Sequence, residues 1–229
     1  MAANHPPIFT PEVFRFFREL ARNNNKRWMD ANRDRYRAAV VEPFRDLLDR
    51  LTPAALKLNS RFVVGGRVGE NFSRINRDIR FAADKSPYRP QMYLYFSEAA
   101  GGAQLYVGIS AEAVTCGFRA YRESKASPLA TIGRERGQRH PEYIQELRHK
   151  LGGTFESYWY KTEKGEWTKR SGWPLAPEAW KRLQGWIVRR KVPRAAATRP
   201  AFSRDIERIF CKVYPIYRFV ASPDWNSQR

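Results

Sequence analysis

The chain has 229 residues, of which 42% are hydrophobic, and it carries 42 Lys and Arg against 23 Asp and Glu for a formal charge of +19. That apolar fraction closes a substantial core and excludes wholesale disorder. A charge so far from neutral repels itself in a compact state unless an anion offsets it, so nucleic acid, a phosphorylated ligand or an anionic surface is the expected partner.

Thr10-Pro11-Glu12 is a helix start: a hydroxyl cap, proline at the first helical position, and an acid against the positive helix end. Val13, Phe16, Phe17 and Leu20 then share one face. Asn23-Asn24-Asn25 breaks the pattern, and a second helical stretch from Lys26 runs through Trp28, Val40, Phe44, Leu47, Leu48 and Leu51, with Pro43 as a point of kinking. Residues 1–58 are therefore expected to form a helical hairpin.

Met92–Phe96, Gln104–Ser110 and Val114–Tyr121 are short, alternating and rich in strand formers. Residues 154–160 and 166–170 predict another hairpin around Lys164-Gly165. Pro177–Ile187 and Ser203–Val213 predict helices. Strands joined by short turns imply antiparallel pairing, so the expected class is α+β, an antiparallel sheet flanked by helices. We expect a single domain over 1–229: the helical hairpin, then a sheet and arginine-rich motif over 59–122, then a basic, aromatic-rich hairpin and C-terminal helices over 123–229.

Cys116 and Cys211 are far apart in apolar company and read as two buried thiols, which excludes a disulfide framework or zinc ribbon. His5, His140 and His149 lack metal-ligand spacing, so no metal site is expected. The N-terminus has neither the basic nor the apolar region of a signal peptide, and no run reaches the roughly 18 apolar residues of a membrane span. A cytoplasmic protein without a membrane partner is expected.

Residues 119–194 hold 18 Lys and Arg against 8 Asp and Glu. There Tyr158, Trp159, Tyr160, Trp167, Trp173, Trp180 and Trp186 alternate with Lys161, Lys164, Lys169, Arg170, Lys181, Arg182, Arg189, Arg190 and Lys191. Aromatic planes beside cations suit a flexible single strand, because bases stack while phosphates are neutralised. The candidate nucleic-acid surface is Trp159, Lys161, Trp167, Lys169, Arg170, Arg189 and Arg190. The plainer alternative places Trp180 and Trp186 in the core of a helix and leaves Arg189-Arg190-Lys191 as a solvated loop.

The densest motif spans residues 74–89. If it is extended, Arg74, Asn76, Asp78 and Arg80 share one face, and Ile75, Arg77, Ile79 and Phe81 the other. Arginine forks match phosphate oxygens bidentately, and interleaved aspartates can orient them. We take Arg74, Arg77, Arg80, Lys85, Ser86, Tyr88 and Arg89 as candidate phosphate ligands, with Asp78, Asp84, Asn25, Arg27 and Trp28 orienting them. The structural alternative is a buried network in which Asp78 and Asp84 pair with these cations.

The run Arg77-Asp78-Ile79-Arg80-Phe81, followed after two residues by Asp84-Lys85-Ser86-Pro87-Tyr88-Arg89, resembles the signature of the uncharacterised family called domain of unknown function 2461. Asn24 to Tyr36 is similar to that family's asparagine- and tryptophan-bearing helix start, and Ile209 to Phe219 resembles its closing aromatic segment. The resemblance covers most of the chain and implies a single α+β domain. It carries no activity. The stretch from Tyr121 to Arg194 matches the family pattern less closely.

Motif and charge together support three expectations of function. The leading one is a binding domain recognising phosphate within nucleic acid or a phosphorylated small molecule. The second is a metal-dependent phosphodiesterase or nuclease using Asp78 and Asp84 with Lys85 nearby, for which Mg²⁺ is the implied cofactor. The third is a non-catalytic interaction module in which the Arg/Asp network is structural. No nucleotide-cofactor or serine-hydrolase motif is present.

Overall fold

The structure is a computed structural model that describes residues 6–80, 83–99, 101–163 and 166–225. Helix α1 (Glu12–Arg22) follows Thr10 and Pro11, and Val13, Phe14, Phe16, Phe17 and Leu20 are buried along it. Asn25 caps α2 (Lys26–Ala31), its side-chain oxygen accepting the Trp28 N–H at 2.9 Å. Beyond α2 the chain is not the single second arm of a simple hairpin. Helix α3 (Arg33–Tyr36) runs into a π turn (Arg37–Val41), where the Glu42 N–H reaches the Arg37 carbonyl five residues back, and then into α4 (Glu42–Leu58). Pro43 has no N–H to offer residue 39, and the widened turn re-registers the chain at that point.

Strands β1 (Gln91–Phe96), β2 (Ala103–Ser110), β3 (Val114–Tyr121), β4 (Glu156–Glu163), β5 (Glu166–Ser171) and β6 (Leu183–Val192) form an antiparallel sheet in the order β1-β2-β3-β6-β4-β5. The α+β class and antiparallel pairing are as expected. The other helices are α5 (Ile132–Arg139), α6 (Pro141–Leu151), α7 (Pro177–Arg182), α8 (Arg194–Ala197) and α9 (Phe202–Ala221). Among the described residues no helix is long and apolar enough to cross a membrane.

Two expectations need correction. The helix expected over Pro177–Ile187 ends at Arg182, because Leu183 turns extended and Leu183, Gly185, Trp186, Ile187 and Val188 are all buried. A continuous buried run in a sheet interior fits a central strand, and it also takes Arg189, Arg190 and Lys191 out of a loop and into β6. Cys116 is buried on β3, but Cys211 is exposed. It lies outside the stripe that Ile206, Ile209, Phe210 and Val213 bury on α9.

By compactness the chain divides into two units, the first being residues 1–96, 107–115 and 191–207 and the second 97–106, 116–190 and 208–229. In the first, Phe9 meets Phe44 and Phe202 edge-on at 5.3 and 5.9 Å. In the second, Trp186 packs edge-on against Trp180 at 5.4 Å and Phe118 at 5.9 Å, and Trp180 against Phe219 at 5.7 Å. Both indoles keep their N–H bonded, Trp180 to the Pro174 carbonyl and Trp186 to the Ser157 hydroxyl. A Cβ at Gly137 of α5 would lie 1.8 Å from the Trp180 ring, so only glycine lets that helix lie so close.

One buried amide organises the loop before β1. Asn71 is 0% exposed; it accepts the Gly66 N–H at 2.9 Å and donates to the carbonyls of Val63 at 2.7 Å and Tyr95 at 3.1 Å. Asn71→Ala strands all three backbone groups away from water, and the cost is about 3 kcal/mol. Chemical denaturation of the two proteins measures it; a loss below about 0.5 kcal/mol would show that the loop does not depend on this amide.

Candidate functional site

Residues 73–77 run antiparallel to 87–93. Ser73 N–H donates to the Tyr93 carbonyl, Arg77 N–H to Pro87 at 2.8 Å and Arg89 N–H to Ile75 at 2.7 Å, with Asn76 bridged to Tyr88. The motif is thus an extended arm. Its side chains alternate as the sequence predicts: Arg74, Asn76, Asp78 and Arg80 are exposed, while Ile75, Arg77 and Ile79 are half-buried. Phe81 lies outside the described residues.

At its tip the arm neutralises itself. Arg80 holds Asp78 through Nε at 3.0 Å and Nη2 at 2.7 Å, Arg77 pairs with Asp84, and the Lys85 ammonium donates to the Ile79 carbonyl at 3.0 Å. The Ser86 hydroxyl and N–H, and then Arg77, hold the Asp84 carboxyl well below the usual carboxylate range. The Arg80 side chain and N–H lower Asp78 in the same way. These pairs face solvent, in contrast to the buried network expected for the structural alternative. Tyr88 is buried at 7% exposure. Among the described residues Arg74 and Arg89 have no ion-pair partner.

The arm is fastened to the Asn23–Asn25 break by a neighbour of the residue expected to orient it. Asn24 donates to the Tyr88 carbonyl at 2.8 Å and accepts the Tyr88 N–H at 3.0 Å, so one side chain imitates a pairing strand. Among the described residues the Asn25 side chain bonds only the helix cap, Arg27 is exposed, and Trp28 packs 5.5 Å from Phe16. Asp78 and Asp84 each serve a different arginine, and among the described residues no three His, Cys, Asp or Glu side chains gather to hold a metal ion.

The second unit presents a different surface. Strand β4 pairs β5 with Tyr158 opposite Ser171, Tyr160 opposite Lys169 and Thr162 opposite Trp167. It pairs β6 with Glu156 opposite Arg189, Tyr158 opposite Ile187, and Tyr160 opposite Gly185. Directly opposed residues share a face. Tyr158, Tyr160, Trp167, Lys169 and Arg189 therefore stand together. The Trp167 ring stacks on Tyr121 of β3 at 6.3 Å and 21° and tilts over Tyr160 at 6.0 Å, while half of its surface stays exposed. Lys169 Nζ lies 4.2 Å and Arg189 Cζ 5.0 Å from the Tyr158 ring centre; Arg119 sits 4.8 Å from that of Tyr106. Lys169 has no carboxylate partner among the described residues.

The same alternation divides the seven residues expected to form a nucleic-acid surface. Trp167, Lys169 and Arg189 are on the aromatic face. Trp159 shares the face of Trp186, its partner in β6, and Lys161 and Arg170 lie on that side as well, both paired with Glu163. Arg190 is exposed and, being next to Arg189, faces away from it. Tyr106, Arg119 and Tyr121 join the face although composition did not single them out; the period of two along their strands is the signal that identifies them.

Lys161, and then Arg170, hold the Glu163 carboxyl down from its ordinary 4.5 to about 2. A depressed carboxyl favours the paired state above its ordinary value and loses that contribution as pH falls towards 2. The cluster should therefore stay ionised and paired from neutrality down to about pH 3 and open as pH falls through about 2. An NMR titration of Glu163 and Arg170 tests this, and a Glu163 midpoint near 4.5 would contradict it.

No functionally curated protein matches the chain. The profile of the family described as conserved hypothetical protein (DUF2461) matches residues 12–219, which take in the Asn24 clamp, the arginine-rich arm and the aromatic strands. The chain belongs to that family.

Proposed function

We propose that the protein binds single-stranded nucleic acid on the open face of β4, β5 and β6. The observation that supports this reading most is the half-exposed Trp167 ring, held between Tyr121 and Tyr160, with Lys169 free of any described carboxylate two residues along β5. A base stacked on such a platform contributes about 1–3 kcal/mol and every base has a face to offer, so recognition is tolerant of sequence. Lys169 then meets the phosphates that join stacked bases, with Arg119 beside it and with Arg189, which exchanges Glu156 for phosphate, and the charge of +19 draws the strand in. Paired bases keep their faces covered, so a duplex gains only the electrostatic part.

The arm supports a phosphate site less well. At the tip of the arm an incoming phosphate must displace Asp78 from Arg80 or Asp84 from Arg77. At Lys169 it displaces water alone.

Fluorescence anisotropy with labelled single- and double-stranded DNA and RNA, over about 50 to 200 mM salt, tests the proposal. The single strand should bind more tightly, with a steep negative slope of log affinity against log salt. Trp167→Ala should weaken single-strand binding by about 5- to 150-fold, the range that one lost stack implies. Lys169→Ala should flatten the slope by about one contact. Affinity unchanged in both variants, with their circular dichroism intact, would overturn the proposal; so would equal binding of single strand and duplex.

A further inference from the structure

Within the first unit the base of the arm forms one wall of a cleft of about 440 Å³, a volume within the range of small-molecule sites. Its opposite wall is the end of α3, the π turn and α4. The polar side chains on its lining are Tyr36, Arg45, Ser73, Arg74 and Asn76, none of them acidic. Arg74 has no ion-pair partner among the described residues, and Arg45 keeps only a 3.4 Å contact with Glu42, both side chains more than half exposed. Ser73 accepts the Tyr93 N–H at 3.0 Å through its hydroxyl oxygen, which leaves the hydroxyl proton to donate. The Tyr36 hydroxyl has no hydrogen-bond partner among the described residues, although its ring packs on Phe16 at 5.6 Å. Burial raises that phenol to about 12, so it is a neutral donor at any physiological pH.

No carboxylate lines the cleft among the described residues. Besides Asn76 and Gly66, its remaining lining is apolar, from Val41, Val68, Phe72, Ile75 and Met92. Donors and positive charge alone would suit any anion. Combined with an apolar floor they suit an anion carried on a flat organic body.

We propose that this cleft binds a phosphorylated small molecule of mononucleotide size, its phosphate met by Arg74, Arg45 and the Tyr36 hydroxyl and its ring body lying on Phe72 and Met92. This site shares no residue with the aromatic sheet face, and either can fail without the other. Arg74 alone of the arm's cations combines a place on the cleft with freedom from an acidic partner, which gives the base of the motif a role its self-paired tip does not have.

Isothermal titration of the full chain with adenosine monophosphate, adenosine and inorganic phosphate tests the proposal. Adenosine monophosphate should bind saturably, and each fragment at least about tenfold more weakly, since each leaves one half of the cleft unfilled. Arg74→Ala should weaken binding by about tenfold or more, and Tyr36→Phe, which keeps the ring, by several-fold. Trp167→Ala should leave it unchanged. No saturable binding, inorganic phosphate binding as tightly as the nucleotide, or a loss in Trp167→Ala without one in Arg74→Ala would each overturn the assignment.

Discussion

The alternation of side chains along β4 is the constraint on which the functional surface depends. Trp186 must enter the core of the second unit, where it packs on Trp180, Trp173 and Phe118. Its register partner Trp159 is committed to the same side, and so Tyr158 and Tyr160 are committed to the other. That other side carries rings and cations. Gly185 shows how closely the rings lie on the sheet, since a Cβ there would stand 2.8 Å from Tyr121 and 3.3 Å from Tyr160. A bare backbone strip under flat rings is how a sheet makes an aromatic platform.

The two basic regions solve the problem of excess charge in opposite ways. On the arm, Asp78 and Asp84 sit two to seven residues from the arginines they hold, and the tip closes into local pairs. Pairs so exposed contribute little to stability, because water screens the attraction and two long side chains must be held in place, so they shape the tip more than they stabilise the fold. Attachment comes instead from neutral amides: Asn24 grips the backbone of Tyr88, and Asn71 gathers the loop ahead of β1. On the aromatic face Lys169 leans on the Tyr158 ring and keeps its charge available, while Arg189 on the same ring also pairs with Glu156. Cation–π contact orients an ammonium without neutralising it.

Much of the arm was legible in the sequence, because period-two alternation is a direct signal and the order of exposed and half-buried residues from Arg74 to Arg80 follows it. The pairing partners within the arm were less so: Asp84 and Lys85 are adjacent, and only the turn decides which of them reaches Arg77 and which the Ile79 carbonyl. Asn24 was hidden behind Asn25, since both are good break residues and only the fold shows which one reaches Tyr88. The Pro177–Ile187 region misled because Trp180 and Leu183 keep helical spacing across a helix-to-strand boundary, where burial of the next strand overrides local pattern. Tyr36 closed the Asn24–Tyr36 motif but nothing tied it or Arg45 to a ligand, as the cleft that unites them with Arg74 exists only once α4 and the arm are in place.

Ultraviolet cross-linking of a single-stranded oligonucleotide to the full chain, with the attached peptides mapped by mass spectrometry, tests the central claim most directly. Adducts should concentrate on Trp167, Tyr160, Tyr158 and Tyr121, whose rings form the face, and spare Tyr88 and the arm around it. Adducts concentrated between Arg74 and Arg89, with none on β4 or β5, would contradict it and return the binding role to the arginine-rich arm.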